Sequence, residues 1–299
     1  MFRAVFRLAR PAALLAVAVM AAACVGGAGA AGPSGPAGPT PSPTPEDPDK
    51  VIFRVSWEGG FVTPEMLLGR VPVIAVYADG RTITLGPVPA IFPGPFMPNL
   101  LEQTLSREAL DSLIQLARDK DLLKDVKYDF PGIADAPDTV LEINLDGQSY
   151  RLSAYALAEA ADGGVAPAIE VPPADVAGRA AMREFIDALT GMPADGFADE
   201  QHPYAFDALR LYVTKAAIVE NSEFPGEQPP ITWPLDDLAA AGEPVENSPL
   251  GARCLVVEGD DLATIKPLLE GANQLSVFES EGEFYSLIPR PLYPDESGC

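Results

Sequence analysis

Val140-Leu-Glu-Ile-Asn-Leu145, Asp146-Gly147 and Gln148-Ser-Tyr-Arg-Leu-Ser-Ala-Tyr155 read as two strands around a turn dipeptide. Asp-Gly suits a tight hairpin because both residues tolerate the positive φ that a two-residue turn demands. The device recurs at Asp79-Gly80, between Pro72–Ala78 and Arg81–Leu85, and at Glu281-Gly282, between Leu275–Glu279 and Glu283–Ile288. Val51 to Trp57 adds a strand that Glu58-Gly59-Gly60 ends. Leu100–Leu105, Ala208–Thr214, Ile231–Pro234 and Cys254–Val257 add others. Strands joined mostly by hairpins, with few helices between them, argue against a doubly wound parallel sheet. They predict an α+β fold: a mostly antiparallel sheet with about three amphipathic helices packed on it.

Those helices can be placed. Ser106 caps one that runs to Lys120, with Leu110, Leu113, Ile114 and Ala117 on a single face. Asp175 caps a second, with the stripe Met182, Phe185, Ile186 and Leu189 and a stop at Gly191 and Pro193. A third runs from Asp260 to Leu269, ends at Gly271, and is kinked or shortened by Pro267. The order strand, helix, hairpin occurs in two halves, 51–160 and 161–299. Residue identity between the halves is poor, so this reads as a common α+β arrangement rather than a duplication. They form two domains or one continuous domain, 51–299.

The first 23 residues follow another pattern. Arg3, Arg7 and Arg10 precede an apolar run from Pro11 to Ala23, and Ala21-Ala22-Ala23 leads into Cys24. A charged start, a short apolar core and a small-residue cleavage site describe a secretory signal. The run is too short to span a bilayer, which needs about 20 residues. With Cys24 at the first mature position, the segment resembles the signals of bacterial lipoproteins, although Ala21 stands where that family most often has Leu. The resemblance implies a lipid on Cys24, palmitate included, and an extracytoplasmic protein anchored to the outer face of the cell membrane. The alternative is an ordinary signal cleaved near Ala23, with Cys24 a free thiol exposed to oxidation. Residues 24–50 are rich in Gly, Ala, Pro, Ser and Thr, with seven prolines between Pro33 and Pro48. Such a stretch buries too little apolar surface to fold and reads as a tether. Its Thr and Ser residues are candidate O-glycosylation sites.

Once Cys24 is set aside as lipidated, Cys254 and Cys299 remain as one pair in an oxidising compartment. Their predicted disulfide ties the last residue back to a strand, and no C-x-x-C spacing suggests a redox role. The formal charge is −23; without the three signal arginines, 43 acids face 17 bases, a charge of −26. Such a surface repels phosphate backbones and anionic headgroups, which argues against nucleic-acid partners and against membrane contact beyond the anchor.

Signals for chemistry are sparse. From Val51 onward there is no G-x-G-x-x-G, G-x-x-x-x-G-K-[ST], G-x-S-x-G or S-x-x-K pattern. His202 is the one histidine, so a zinc site or catalytic triad would rest on it alone; a surface role is the default. No metal or cofactor is expected. Asp135 and Asp138 form one acidic pair, and Asp195, Asp199 and Glu200 form another loop cluster. Paired carboxylates serve glycoside hydrolysis or calcium binding, but turn-forming Asp explains both stretches equally well. In Gly86–Pro98, five prolines stiffen a loop holding Ile91, Phe92, Phe96 and Met97. Facing solvent, these four would mark a binding site; folded inward, they would cover the core.

Gly59-Gly60-Phe61, Val76–Arg81, Phe92–Pro95, Tyr128–Pro137 and the ending Pro291–Cys299 resemble uncharacterised envelope lipoproteins of high-GC bacteria. The resemblance covers most of the mature chain and implies no known activity. The expected function is therefore a non-catalytic binding or structural domain tethered in the envelope, meeting an unknown partner or ligand. The alternative is an envelope hydrolase using paired carboxylates. A transporter's solute-binding protein is weaker still, for want of alternating strands and helices.

Overall fold

A computed structural model describes residues 47–158, 171–216 and 229–299. The expected signal, Cys24 and the tether up to residue 46 lie outside the described residues. Residues 45–299 form one compact unit. Its first eight strands are β1 (Val51–Gly59), β2 (Ile74–Tyr77), β3 (Arg81–Leu85), β4 (Leu100–Thr104), β5 (Val126–Tyr128), β6 (Pro137–Leu145), β7 (Gln148–Tyr155) and β8 (His202–Pro203). They make one sheet in the order β5-β7-β6-β1-β2-β3-β4-β8. Then β9 (Ala208–Lys215), β10 (Ile231–Thr232), β11 (Glu243–Pro244), β12 (Arg253–Glu258), β13 (Phe278–Ser280) and β14 (Glu283–Pro291) make a second, ordered β10-β13-β14-β9-β12-β11. Among the described residues only the β5–β7 and β10–β13 pairs are parallel. The α+β class holds, with two mixed, mostly antiparallel sheets.

Helices α1 (Pro64–Leu68), α2 (Arg107–Asp119), α3 (Pro173–Thr190) and α4 (Gly259–Glu270) complete the fold. The two-residue period of strands sorts the side chains onto opposite faces. On one face of the first sheet, Phe53, Val55, Leu141 and Ile143 meet Leu113 of α2 and Met182 and Phe185 of α3. The Phe53 and Phe185 ring centroids are 5.0 Å apart. The other face buries Ala75, Tyr77 and Ile83 against Tyr293. In the second sheet, Leu209, Leu211 and Leu287 pack on Leu262, Ile265 and Leu269 of α4. Although α3 and β8 lie beyond residue 161, both join the first sheet.

Several local expectations are corrected. Asp146-Gly147 and Glu281-Gly282 are two-residue loops with positive φ at both positions. Asp79-Gly80 is not: the loop has three residues, Gly80 N–H donates to the Tyr77 carbonyl at 3.0 Å, and Gly80 carries a φ of 93°. A Cβ there would stand 2.8 Å from the Leu105 carbonyl oxygen, so the close approach requires glycine. Ser106 caps α2 as expected, accepting from Ala109 N–H. Asp175 does not cap α3, which begins two residues earlier at Pro173, because a first-turn proline needs no N–H partner. Pro267 does not shorten α4, which continues to Glu270. The strand expected over Ile231–Pro234 stops at Thr232, and β13 starts at Phe278. The tether was expected to reach Lys50, but Lys50 N–H donates to the Asp47 carbonyl, and Arg81 holds Asp49 and the Pro48 carbonyl. Pro48, Asp49 and Lys50 are thus bonded to the fold.

The C-terminal segment ties the two sheets together. Cys299 is disulfide-linked to Cys254 on β12, Cα to Cα 5.9 Å. Arg290 grips Glu296 through two bonds of 2.7 and 2.6 Å. Arg54 of β1 holds Asp295 at 2.7 and 2.8 Å, and the Tyr77 hydroxyl donates to the same carboxylate at 2.9 Å. Burial, and then the Asp295 charge, push the Tyr77 phenol well above its ordinary range, so it stays a donor.

Register also gives the first sheet two unlike ends. Val55 pairs with Ile74, Ile74 with Thr84, and Leu85 with Leu100, while Gly59 pairs with Pro137. Connections 60–73, 86–99 and 129–136 therefore leave from one end. The Asp79-Gly80 and Asp146-Gly147 turns lie at the other, where Val51 pairs with Tyr77 and the chain enters the fold. At about 3.3 Å per residue, nine-residue β1 separates the ends by about 27 Å.

Candidate functional site

Of the ten exposed large hydrophobic side chains among the described residues, eight lie at or beyond the ends of β1 and β3: Trp57, Phe61, Met66, Leu67, Leu85, Val88, Ile91 and Phe92. None lies on the Asp-Gly turns. Trp57 shares a face with buried Phe53 and Val55, and alternation alone would bury it. It nevertheless remains 44% exposed, near the end of β1. Gly60, with a φ of 82°, then turns the chain, and Phe61 N–H donates to the Asp135 carbonyl at 2.9 Å. Phe61 is 86% exposed. In one-turn α1, consecutive Met66, Leu67 and Leu68 point in different directions, so one short helix cannot bury them all.

The Pro-rich loop splits its four candidate side chains. Phe96 and Met97 pack against the second sheet's core, the Phe96 ring 5.5 Å from Phe278. Ile91 and Phe92 stay 65% and 60% exposed. The inward pair and main-chain pairing fix the frame: Pro95 bridges Asn273, and Gln274 N–H donates to the Gly94 carbonyl at 3.0 Å. The exposed pair is thus presented from a braced loop.

A cavity of about 320 Å³ opens beside this end, between β2–β4 and the segment following α3. Its lining includes Val73, Thr84, Leu85, Gln103, Met192 and Phe197 and no charged residue. Trp57, two residues beyond Val55, is a diagonal neighbour of Ile74, which also lines the cavity.

The acidic candidates are otherwise engaged or spread out. Asp138 sits across from Glu58 in the β1–β6 ladder and accepts from Ser153 Oγ at 3.0 Å. Asp135 occupies an exposed turn with a φ of 62°, and neither aspartate lines the cavity. Asp199 accepts from Thr104 N–H at 2.6 Å and Thr104 Oγ1 at 2.8 Å; these bonds hold its carboxyl below the usual range and close the edge of β4. His202 is exposed on β8 opposite Glu102. Among the described residues no three His, Cys, Asp or Glu side chains are grouped to hold a metal ion. No helix among them is long and apolar enough to cross a membrane.

The first-sheet end was only half legible beforehand. Ile91 and Phe92 were anticipated from their loop, whereas Trp57, Phe61, Met66 and Leu67 were not. The usable signal was apolar density in a short connection opened by Gly59-Gly60, too short to bury its own side chains. No family model, curated protein or solved structure matches the chain.

Proposed function

We propose that the chain is an extracytoplasmic lipoprotein, anchored through Cys24, whose folded part is a non-catalytic binding domain. It engages its partner through the apolar end formed by Trp57, Phe61, Ile91 and Phe92. The carrying observation is polarity: the chain enters at the Asp-Gly end, and the exposed apolar side chains cluster at the other. Exposed apolar side chains that include aromatics and Met are the composition of interaction sites. A tether joined at the near end leaves the far end free to meet a partner. The paired-carboxylate alternative loses ground because Asp138 is bonded to Ser153 and Asp135 stands apart on a turn.

Anchoring has a direct test. Replacing Cys24→Ser is expected to move the protein from the membrane to the soluble fraction of cells and to abolish fatty-acid labelling. Unchanged labelling, or a membrane fraction undiminished by the substitution, would refute the anchor.

A further inference from the structure

We infer that the apolar end receives a cationic, amphipathic segment of a partner protein. The inference rests on that end being a binding surface, and charge selects the occupant. Glu58, Glu65 and Asp135 are exposed among the apolar side chains. Arg151 is paired with Glu58 at 2.6 Å and Glu142 at 3.1 Å, whereas Arg70 donates only to the neutral Trp57 and Gly59 carbonyls, each at 3.0 Å, and keeps its charge, so the four carboxylates Glu58, Glu142, Glu65 and Asp135 outnumber the two guanidiniums. Glu65 and Asp135 have no ion pair among the described residues, so the rim keeps a negative field.

That field discriminates among occupants. A second copy of a chain carrying −23 is repelled, and so is an anionic lipid surface. Apolar residues flanked by Lys or Arg satisfy both the apolar floor and the acidic rim.

The test uses the purified full chain with defined probes: a helical Leu/Lys peptide, its Leu/Glu and Leu/Ser counterparts, and vesicles of phosphatidylglycerol. Peptide anisotropy reads binding. Emission of exposed Trp57 reads its location, since Trp233 is only 6% exposed. The Leu/Lys peptide is expected to bind with a blue shift that Trp57→Phe removes, and to weaken about ten-fold from low to high salt. The double change Glu65→Gln and Asp135→Asn should weaken it about five-fold. Asp111→Asn with Asp146→Asn, exposed acids at the opposite end, should leave it unchanged. Equal weakening by the two pairs overturns the inference. Tighter binding of the Leu/Glu or Leu/Ser peptide, or of the vesicles, at Trp57 overturns the partner's chemistry while the binding surface stands. No Trp57 response to any probe overturns both.

Discussion

Replacing Cys254 and Cys299 together by alanine is expected to lower stability by about 4 kcal/mol and the melting temperature by roughly 10 °C. The cross-link spans 45 residues, and opening it returns that loop's freedom to the unfolded chain. The folded cost is added at the tail. Arg210 Nε donates to the Gly298 carbonyl at 2.9 Å, and Cys299 is the residue that holds Gly298 in place. Beyond the disulfide, the tail depends on ion pairs at Asp295 and Glu296, whose retention should keep the fold cooperative. Thermal unfolding with and without reductant, on the native chain and the double variant, reads the difference. A loss below about 1 kcal/mol would mean that the ion pairs alone hold the segment.

Glu296→Gln is the second large effect, expected to cost about 3 kcal/mol at neutral pH. Arg290 and Glu296 side chains are only 11% and 17% exposed, and the glutamine would leave the guanidinium without its countercharge. Burial alone would raise the Glu296 carboxyl, but Arg290's hydrogen bonds and charge outweigh it and hold the group below the usual carboxylate range. A depressed folded value gives a definite sign. The bonded carboxylate contributes its full stability above the ordinary Glu value, about 4.3, and loses it as pH falls through the lower folded value. The native chain should therefore lose stability in acid faster than the variant, and the gap between them should close. Denaturant melts from neutral to acid pH check this; a gap that stays constant would remove Glu296 titration from the account.

What was readable beforehand divides along physical lines. Local chemistry was legible: the Asp146-Gly147 and Glu281-Gly282 turns, the Ser106 cap, and the Leu110–Leu113–Ala117 face of α2. The disulfide was legible too, because cysteine pairing needs only a count and a compartment. Less legible were features that depend on a partner element. β8 and β11 are two residues each and exist only by pairing with β4 and β12. Asp175 offered a good capping side chain, yet Pro172-Pro173 fixed the backbone first. The exposed apolar end failed in the same way. Period-two alternation assigns Trp57 a face, but not whether the covering layer reaches it. Phe92 and Phe96 sit four residues apart in one loop, and only the position of the second sheet decides that Phe96 turns inward.

The central claim is that the end away from the tether meets a partner. It is tested most directly by site-specific photo-crosslinking in cells producing the full chain, with a benzophenone side chain placed in turn at Phe61, Ile91 and Asp146. The account predicts one common higher-mass adduct from positions 61 and 91 and none from position 146. Adducts from 146 alone, or equal labelling at all three positions, would contradict it.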